Sequence, residues 1–190
     1  MTMKPTWDSK IRKLLNDDLT SVREHLLRLD QESLYLRFGN TVTDAFLIQY
    51  VERMPDLDTV VFACCVDGAV RGVGELRRLG VGRDHEAEAA FTVERSFADL
   101  GMGTALMAAV INEARDIGVQ DIFMCFELFN RRMRRITEKF QGLVSYDGRD
   151  CIGRVSIEAA SRSGVRGLKA ALMLPIGMTA IPALRPAQSE

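Results

Sequence analysis

Residues 87–118 read as a short strand, AEAAFTV, then a loop ending in ADLGMG, then a long amphipathic helix that starts at Gly101. Glycines at 101 and 103 leave the first backbone amides of that helix unshielded by side chains, at the positive end of its dipole. Such a place suits a pyrophosphate. The same stretch constrains topology. Residues 119–127 read as the next strand because IFMCF is short, apolar and aromatic, and a strand, helix, strand crossover implies parallel pairing in a right-handed unit.

Spacing separates two phosphate-binding designs. In a dinucleotide fold the strand runs straight into GxGxxG. Here seven residues, 94–100, intervene, and Leu106 stands at the third glycine position, which favours a coenzyme A cradle over a nicotinamide one. ADLGMG following FTV resembles the [QR]xxGx[GA] motif of the GNAT superfamily of acyl-CoA-dependent N-acetyltransferases. The run AEAAFTVERSFADLGMGTALM is similar to the acetyltransferase domain of bacterial protein-lysine acetyltransferases. The resemblance covers residues 10–158 and is most specific over 87–142. It implies an α+β (α/β) fold: a single GNAT-type domain over residues 1–160, with a mixed central sheet of splayed parallel strands flanked by helices, then a tail over 161–190. It also implies acetyl-CoA as co-substrate, with the acyl-pantetheine in the gap between the splayed strands. The implied cofactor contacts are Phe91, Thr92, Val93, Leu100, Gly101, Met102, Gly103, Thr104 and Asn130.

Period-2 alternation puts Ala87, Ala89, Phe91 and Val93 on one strand face, ready to take a helix, and Glu86, Glu88, Ala90, Thr92 and Glu94 on the other. Glu88 is the carboxylate furthest from either strand end. An exposed strand face would explain it, but in the AExAFTV pattern of the bacterial lysine acetyltransferases a glutamate here is the general base. A base is useful, because a lysine-like amine with pKa about 10.4 costs about 4.6 kcal/mol to deprotonate at pH 7. The neutral amine, of a protein lysine or a small molecule, would attack the thioester carbonyl while a backbone amide near Val93 holds its oxygen.

The chain departs from the family in three places. Ala98 stands where glutamine or arginine is preferred, Leu100 where arginine or glycine is frequent, and Thr137 where many relatives keep a tyrosine acid. Asn130 has a complete explanation as the N-cap of the helix NRRMRRITEKFQG, compatible with a pantetheine contact. Arg131, Arg132, Arg134 and Arg135 read either as a solvated face or as an attraction for the 3′-phosphate of CoA or for an acidic protein surface. Two other functions stay open: a non-catalytic acyl-CoA-binding regulator, motivated by Ala98 and Thr137, and a nicotinamide oxidoreductase, motivated by the GxG and by Glu127 ending the next strand.

Elsewhere, residues 9–15 read as an edge strand after a loose start around Trp7. Ser21 and Glu24 fit a capping box, Thr43 caps a second helix closed by Pro55, and Asp67-Gly68 turns one strand into the next over 69–78. In the family that the chain resembles, an LYLRF segment walls one side of the substrate groove, which makes Tyr35 and Arg37 groove candidates beside the plainer readings of packing and a solvated charge. Asp147 and Gly148 join a closing hairpin. The four cysteines, Cys64, Cys65, Cys125 and Cys151, all sit in apolar runs, and no secretory leader opens the chain, so reduced, buried thiols in a cytoplasmic protein are expected. A net charge of −1 indicates no nucleic-acid partner, the histidines His25 and His85 lie too far apart for a metal motif, and no run reaches bilayer length. The apolar tail fits docking on the body or on a second subunit, as in a homodimer.

Overall fold

The structure, a computed structural model, describes residues 11–158. The readings for Trp7 and for the tail over 161–190 lie outside the described residues. Strand β1 (Ile11–Lys13) leads through a 3-10 turn into helices α1 (Leu19–Leu27), α2 (Gln31–Phe38) and α3 (Asp44–Glu52). Strands β2 (Thr59–Val66), β3 (Ala69–Arg78) and β4 (Glu86–Val93) follow, then helix α4 (Met102–Asp116), β5 (Asp121–Glu127), α5 (Arg131–Lys139), β6 (Leu143–Asp147) and β7 (Asp150–Ser156).

Local chemistry explains most boundaries. Thr43 accepts a hydrogen bond from the Phe46 amide at 3.2 Å and starts α3. Asp67 and Gly68 adopt φ of 51° and 76°, the left-handed pair that a two-residue hairpin needs. Ser21 does not cap α1. The preceding turn of Asn16–Asp18 carries the chain into helical geometry by Leu19, so Ser21 is already inside the helix. The closing hairpin turns at Gly148 and Arg149, not at Asp147, because Asp147 pairs with Asp150.

The strands form one seven-stranded sheet in the order β1-β2-β3-β4-β5-β7-β6. Every neighbouring pair is antiparallel except β4 and β5, whose parallel register runs only from Glu86↔Asp121 to Glu88↔Phe123. Beyond that point the two strands separate. Ala87 and Ala89 face α4 in one core with Leu106, Met107 and Val110, while Val22, Leu26, Leu47 and Val51 from α1 and α3 form a second core on the opposite face. Helical periodicity puts Leu106, Val110, Ala114 and Ile117 on one stripe of α4; the first three are fully buried, and Ile117, at the C-cap, is only partly so.

Two glycines of β3 let α4 approach. A Cβ at Gly72 or Gly74 would lie 3.3 Å from Leu106 atoms, so the leucine rests where side chains are missing from the strand. Leu106 anchors the whole crossover, and with it the glycine loop at the N-terminus of α4. Leu106→Ala is expected to cost about 2–5 kcal/mol, by lost transfer energy plus a residual cavity. Urea unfolding of the variant reads this directly, and a loss below about 1 kcal/mol contradicts the assigned packing.

Candidate active site

The parting of β4 and β5 leaves one edge of β4 without a strand neighbour. The Glu94 amide bonds the Arg71 carbonyl at 2.9 Å and the Leu79 amide bonds the Glu86 carbonyl at 3.1 Å, so the even-numbered residues of β4 direct their backbone groups to β3. By alternation Ala89, Phe91 and Val93 direct theirs the other way, into the gap. A cavity of about 370 Å³ occupies it, walled by Glu88–Val93, by Met124–Glu127, by α2 and by the facing ends of α4 and α5.

One end of the cavity suits phosphates. Gly101 caps α4 at φ 94°, ψ −5°, and no side chain accepts from the first turn. The amides of Met102, Gly103 and Thr104 therefore have no intrahelical partner. A Cβ at Gly101 would meet nothing within 4 Å, whereas one at Gly103 would lie 2.9 Å from Ile136 Cδ1. Gly103 thus serves two purposes, an unshielded amide and close passage of α5. Asp99, itself at φ 58°, is held by Arg132 at 2.9 Å and 3.1 Å, which ties the loop to α5.

Of the residues expected to contact cofactor, Phe91, Thr92, Val93, Gly101, Gly103, Thr104 and Asn130 line the cavity. Leu100 and Met102 do not: Met102 is 1% exposed and points into the core beneath α4, leaving its backbone as its only available group. Asn130 caps α5, accepting from the Met133 amide at 3.1 Å. The basic helix also divides. Arg132 and Arg135, with Lys139 on the same face, line the cavity, while Arg134 lies 5.5 Å over the Tyr146 ring. An open strand edge, uncapped amides and flanking cations fit an acyl-pantetheine diphosphate.

The other end carries carboxylates. Glu88 forms a half-buried ion pair with its cross-strand partner Arg77. Two residues along β3, the buried Glu75 accepts from the Tyr50 hydroxyl and, at 3.1 Å, from Arg37 Nη2, which also donates to the Tyr50 oxygen at 2.6 Å. Burial pushes the Tyr50 phenol well above its ordinary range, and Arg37 offsets this only in part. Burial opposes the Arg37 charge, but Glu75 and Tyr50 raise its pKa overall. Arg37 therefore lines the groove as expected, whereas Tyr35 points outward and does not. Glu127 and Asp150, paired across β5 and β7, also line the cavity.

Sequence reading missed Glu75, Tyr50 and Arg77. The one available signal was a charged residue, Glu75, inside the otherwise apolar VGEL run of β3. Cys125 is corrected: it is exposed on the cavity, on the face of β5 opposite the core that takes Met124 and Phe126, while Cys64 and Cys151 are buried and Cys65 is partly so. Burial pushes the Cys64 thiol up to about 11. Thr137 is fully buried and donates to the Met133 carbonyl at 3.0 Å, so no acid is available at that position.

Residues 20–143 match the Acetyltransferase (GNAT) family. A sheet that parts at its single parallel pair, with a glycine-capped helix at the mouth of the gap, is the frame of an acyl-CoA-dependent transferase; one parallel pair does not make the doubly wound sheet that a nicotinamide enzyme would need. The chain belongs to the acetyltransferase (GNAT) family. It is an acyltransferase by that membership, and acetyl-CoA is the co-substrate of the class. It is 27% identical to a Pseudomonas aeruginosa acetyltransferase over 129 residues, 65% of this chain and 69% of the other. The fold is shared with the GNAT domain of S. lividans PAT at TM-score 0.68 and 20% identity, covering 78% of this chain and 90% of that one. A Salmonella typhimurium structure described as an acetyltransferase with its cofactor acetyl-CoA gives TM-score 0.64 at 18% identity, covering 78% and 94%. No helix among the described residues is long and apolar enough to cross a membrane.

Beside the cavity, His25 of α1 is 0% exposed, and burial pushes its pKa down to about 4 against the opposing pull of Glu94. The unfolded imidazole titrates near 6.5. As pH falls from about 6.5 to about 4, the unfolded chain takes up a proton that the folded one refuses, and stability drops by about 3 kcal/mol. The carboxylates held low by hydrogen-bonding partners, Asp18, Asp30 and Asp99, contribute at higher pH and lose their contribution only as pH falls below the ordinary carboxylate range. Urea unfolding between pH 7.5 and 4.5 is therefore expected to slope downward in the wild type and to flatten in His25→Gln. Parallel profiles for the two proteins contradict a buried neutral His25.

Proposed function

We propose that this chain transfers the acetyl group of acetyl-CoA to a primary amine, with Glu88 as general base. The observation that carries the reading is a single cavity with opposite ends. Glu88 lies at one end and Val93 five residues further along the same strand, about 16 Å at ~3.3 Å per residue, toward the uncapped amides of α4. Phosphates suit the amide and cation end, and the acyl chain suits the strand edge between. The carboxylates Glu88, Glu127 and Asp150 favour an acceptor that arrives as an ammonium, such as a protein lysine or a small amine.

Acetyl-CoA, once bound, supplies a thioester carbonyl. Glu88 accepts a proton from the ammonium through water in the groove, and the neutral nitrogen attacks the carbonyl carbon. The Val93 amide, directed into the gap, stabilises the developing oxyanion. The carbon–sulfur bond then breaks, CoA leaves as thiolate, and the nitrogen sheds its remaining proton to the thiolate or to solvent. A thiol titrating near 8.5 leaves readily without a tyrosine acid. Thr137 is therefore no obstacle to turnover. Arg77 keeps the Glu88 carboxylate pinned at the strand surface, in reach of the groove.

Glu88→Gln keeps shape but cannot take a proton at neutral pH, so kcat with an amine acceptor is expected to fall by roughly 10²–10⁴-fold. Acetyl-CoA affinity changes little, and the deficit narrows toward pH 10, where more of the amine is already neutral. Near wild-type kcat from pH 7 to 10 would remove Glu88 from the mechanism.

The cations at the other end give a separate expectation. If Arg135 and Lys139 meet the 3′-phosphate, CoA binds more tightly than dephospho-CoA, by a margin that shrinks with salt and in Arg135→Ala/Lys139→Ala. Calorimetry with both ligands measures it, and equal affinities return these residues to solvent.

A further inference from the structure

Val93 lies at the least supported point of the site. Its gap-facing edge has no strand neighbour, and β4 ends one residue before Glu94. On the opposite face, the residues to either side of it are held by a buried polar cluster. His25 Nε2 is 2.9 Å from the Thr92 hydroxyl, and Nδ1 lies 3.5 Å from Glu94 Oε1. That separation is too long for a good hydrogen bond, and Nδ1 is otherwise unpartnered among protein groups. A lone pair aimed at a carboxylate would be repelled, so electrostatics assigns the Nδ1–H tautomer, with the Thr92 hydroxyl donating to Nε2.

Glu94 is gripped twice more, by Arg28 Nε and by Arg71 Nη1, each at 2.9 Å. Arg28 also donates to the Val70 carbonyl at 2.7 Å. Arg71 is the extra residue of a β-bulge. Cys64 pairs with Gly72 and Cys65 with Val70, so Arg71 has no partner on β2, while on its other side its carbonyl receives the Glu94 amide at 2.9 Å. Two arginines, one histidine and one carboxylate thus brace the strand end from α1 and from β3.

We propose that His25, Arg28, Arg71 and Glu94, acting through Thr92, are positioning residues that hold the Val93 amide on the acyl carbonyl. The inference rests on the reading that Val93 stabilises the oxyanion. Thr92 and Glu94 are fixed on one face, so the peptide between them cannot rotate, and its amide stays directed into the gap. Removing one brace loosens the amide, and a misplacement on the order of 1 Å costs about 10²-fold in rate. The phosphate end, on a different helix, does not feel the change.

The test compares Thr92→Val, which keeps the shape and loses the hydroxyl, with Thr92→Ser, which keeps the hydroxyl, and adds Glu94→Gln as an independent second brace. Each protein is assayed for kcat with an amine acceptor and for affinity toward CoA and acetyl-CoA. The expected result is a kcat lower by about 10²-fold in Thr92→Val and Glu94→Gln, unchanged CoA affinity, loss of any preference for acetyl-CoA over CoA, and recovery of most of both in Thr92→Ser. Retained kcat and preference in Thr92→Val and Glu94→Gln overturn the proposal, as does a parallel loss of CoA affinity, which would mark a general collapse of the groove. A wild type that acetylates no amine defeats the reading of function instead. The acetyl-CoA preference then decides on positioning alone: its loss in Thr92→Val supports the brace, and its persistence, or its absence in the wild type, overturns it.

Discussion

The site depends on a ladder that stops. Parallel pairing of β4 and β5 lasts from Glu86↔Asp121 to Glu88↔Phe123 and then ends, although both strands continue. Backbone groups that would close a sheet instead line a cavity, and unpaired amides in a partly dry groove are strong donors for a ligand that brings its own carbonyls. A break in pairing costs stability locally. Here the loss is offset by the antiparallel neighbours on the outer sides: β3 holds β4 along its length and β7 holds β5.

Around that gap, charge is arranged lengthwise. The amides of α4 and the cations of α5 border it beyond the C-terminal end of β4, and Glu88 sits five residues back along the same strand, with Glu127 and Asp150 also on the lining. The arginines that flank the carboxylate end, Arg37 and Arg77, are committed to Glu75 and Glu88. Each buried charge has an opposite partner within the protein, which is the condition under which charges are tolerated away from water. Neither arginine is thereby left as an uncompensated cation beneath the groove.

Local chemistry made much of this legible in advance. The turn at Asp67-Gly68, the cap at Thr43, the stripe of Leu106, Val110 and Ala114, and the two faces of β4 all follow from patterns a few residues long. The family match of residues 20–143 likewise rests on a stretch contiguous in sequence. The bulge at Arg71 was not legible, because it exists only as a mismatch in register with β2. Nor was the exposure of Cys125, which sits in an apolar run but on the face of β5 opposite the core that takes Met124 and Phe126, where only the packing of remote elements decides what is covered.

By itself, then, the sequence determined the order of elements, the uncapped glycine start of α4 and the face of β4 on which Glu88 lies, since each is set by periodicity and by the freedom of glycine at φ 94°. Tertiary structure alone decided which distant residues meet. Arg37 reaches Glu75 across 38 positions, His25 reaches Thr92 across 67, and only two of the four arginines clustered at the start of α5 turn to the cavity. The reason is physical: a hydrogen bond or ion pair between remote residues leaves no trace in local spacing, because it is fixed by how helices pack on the two faces of the sheet.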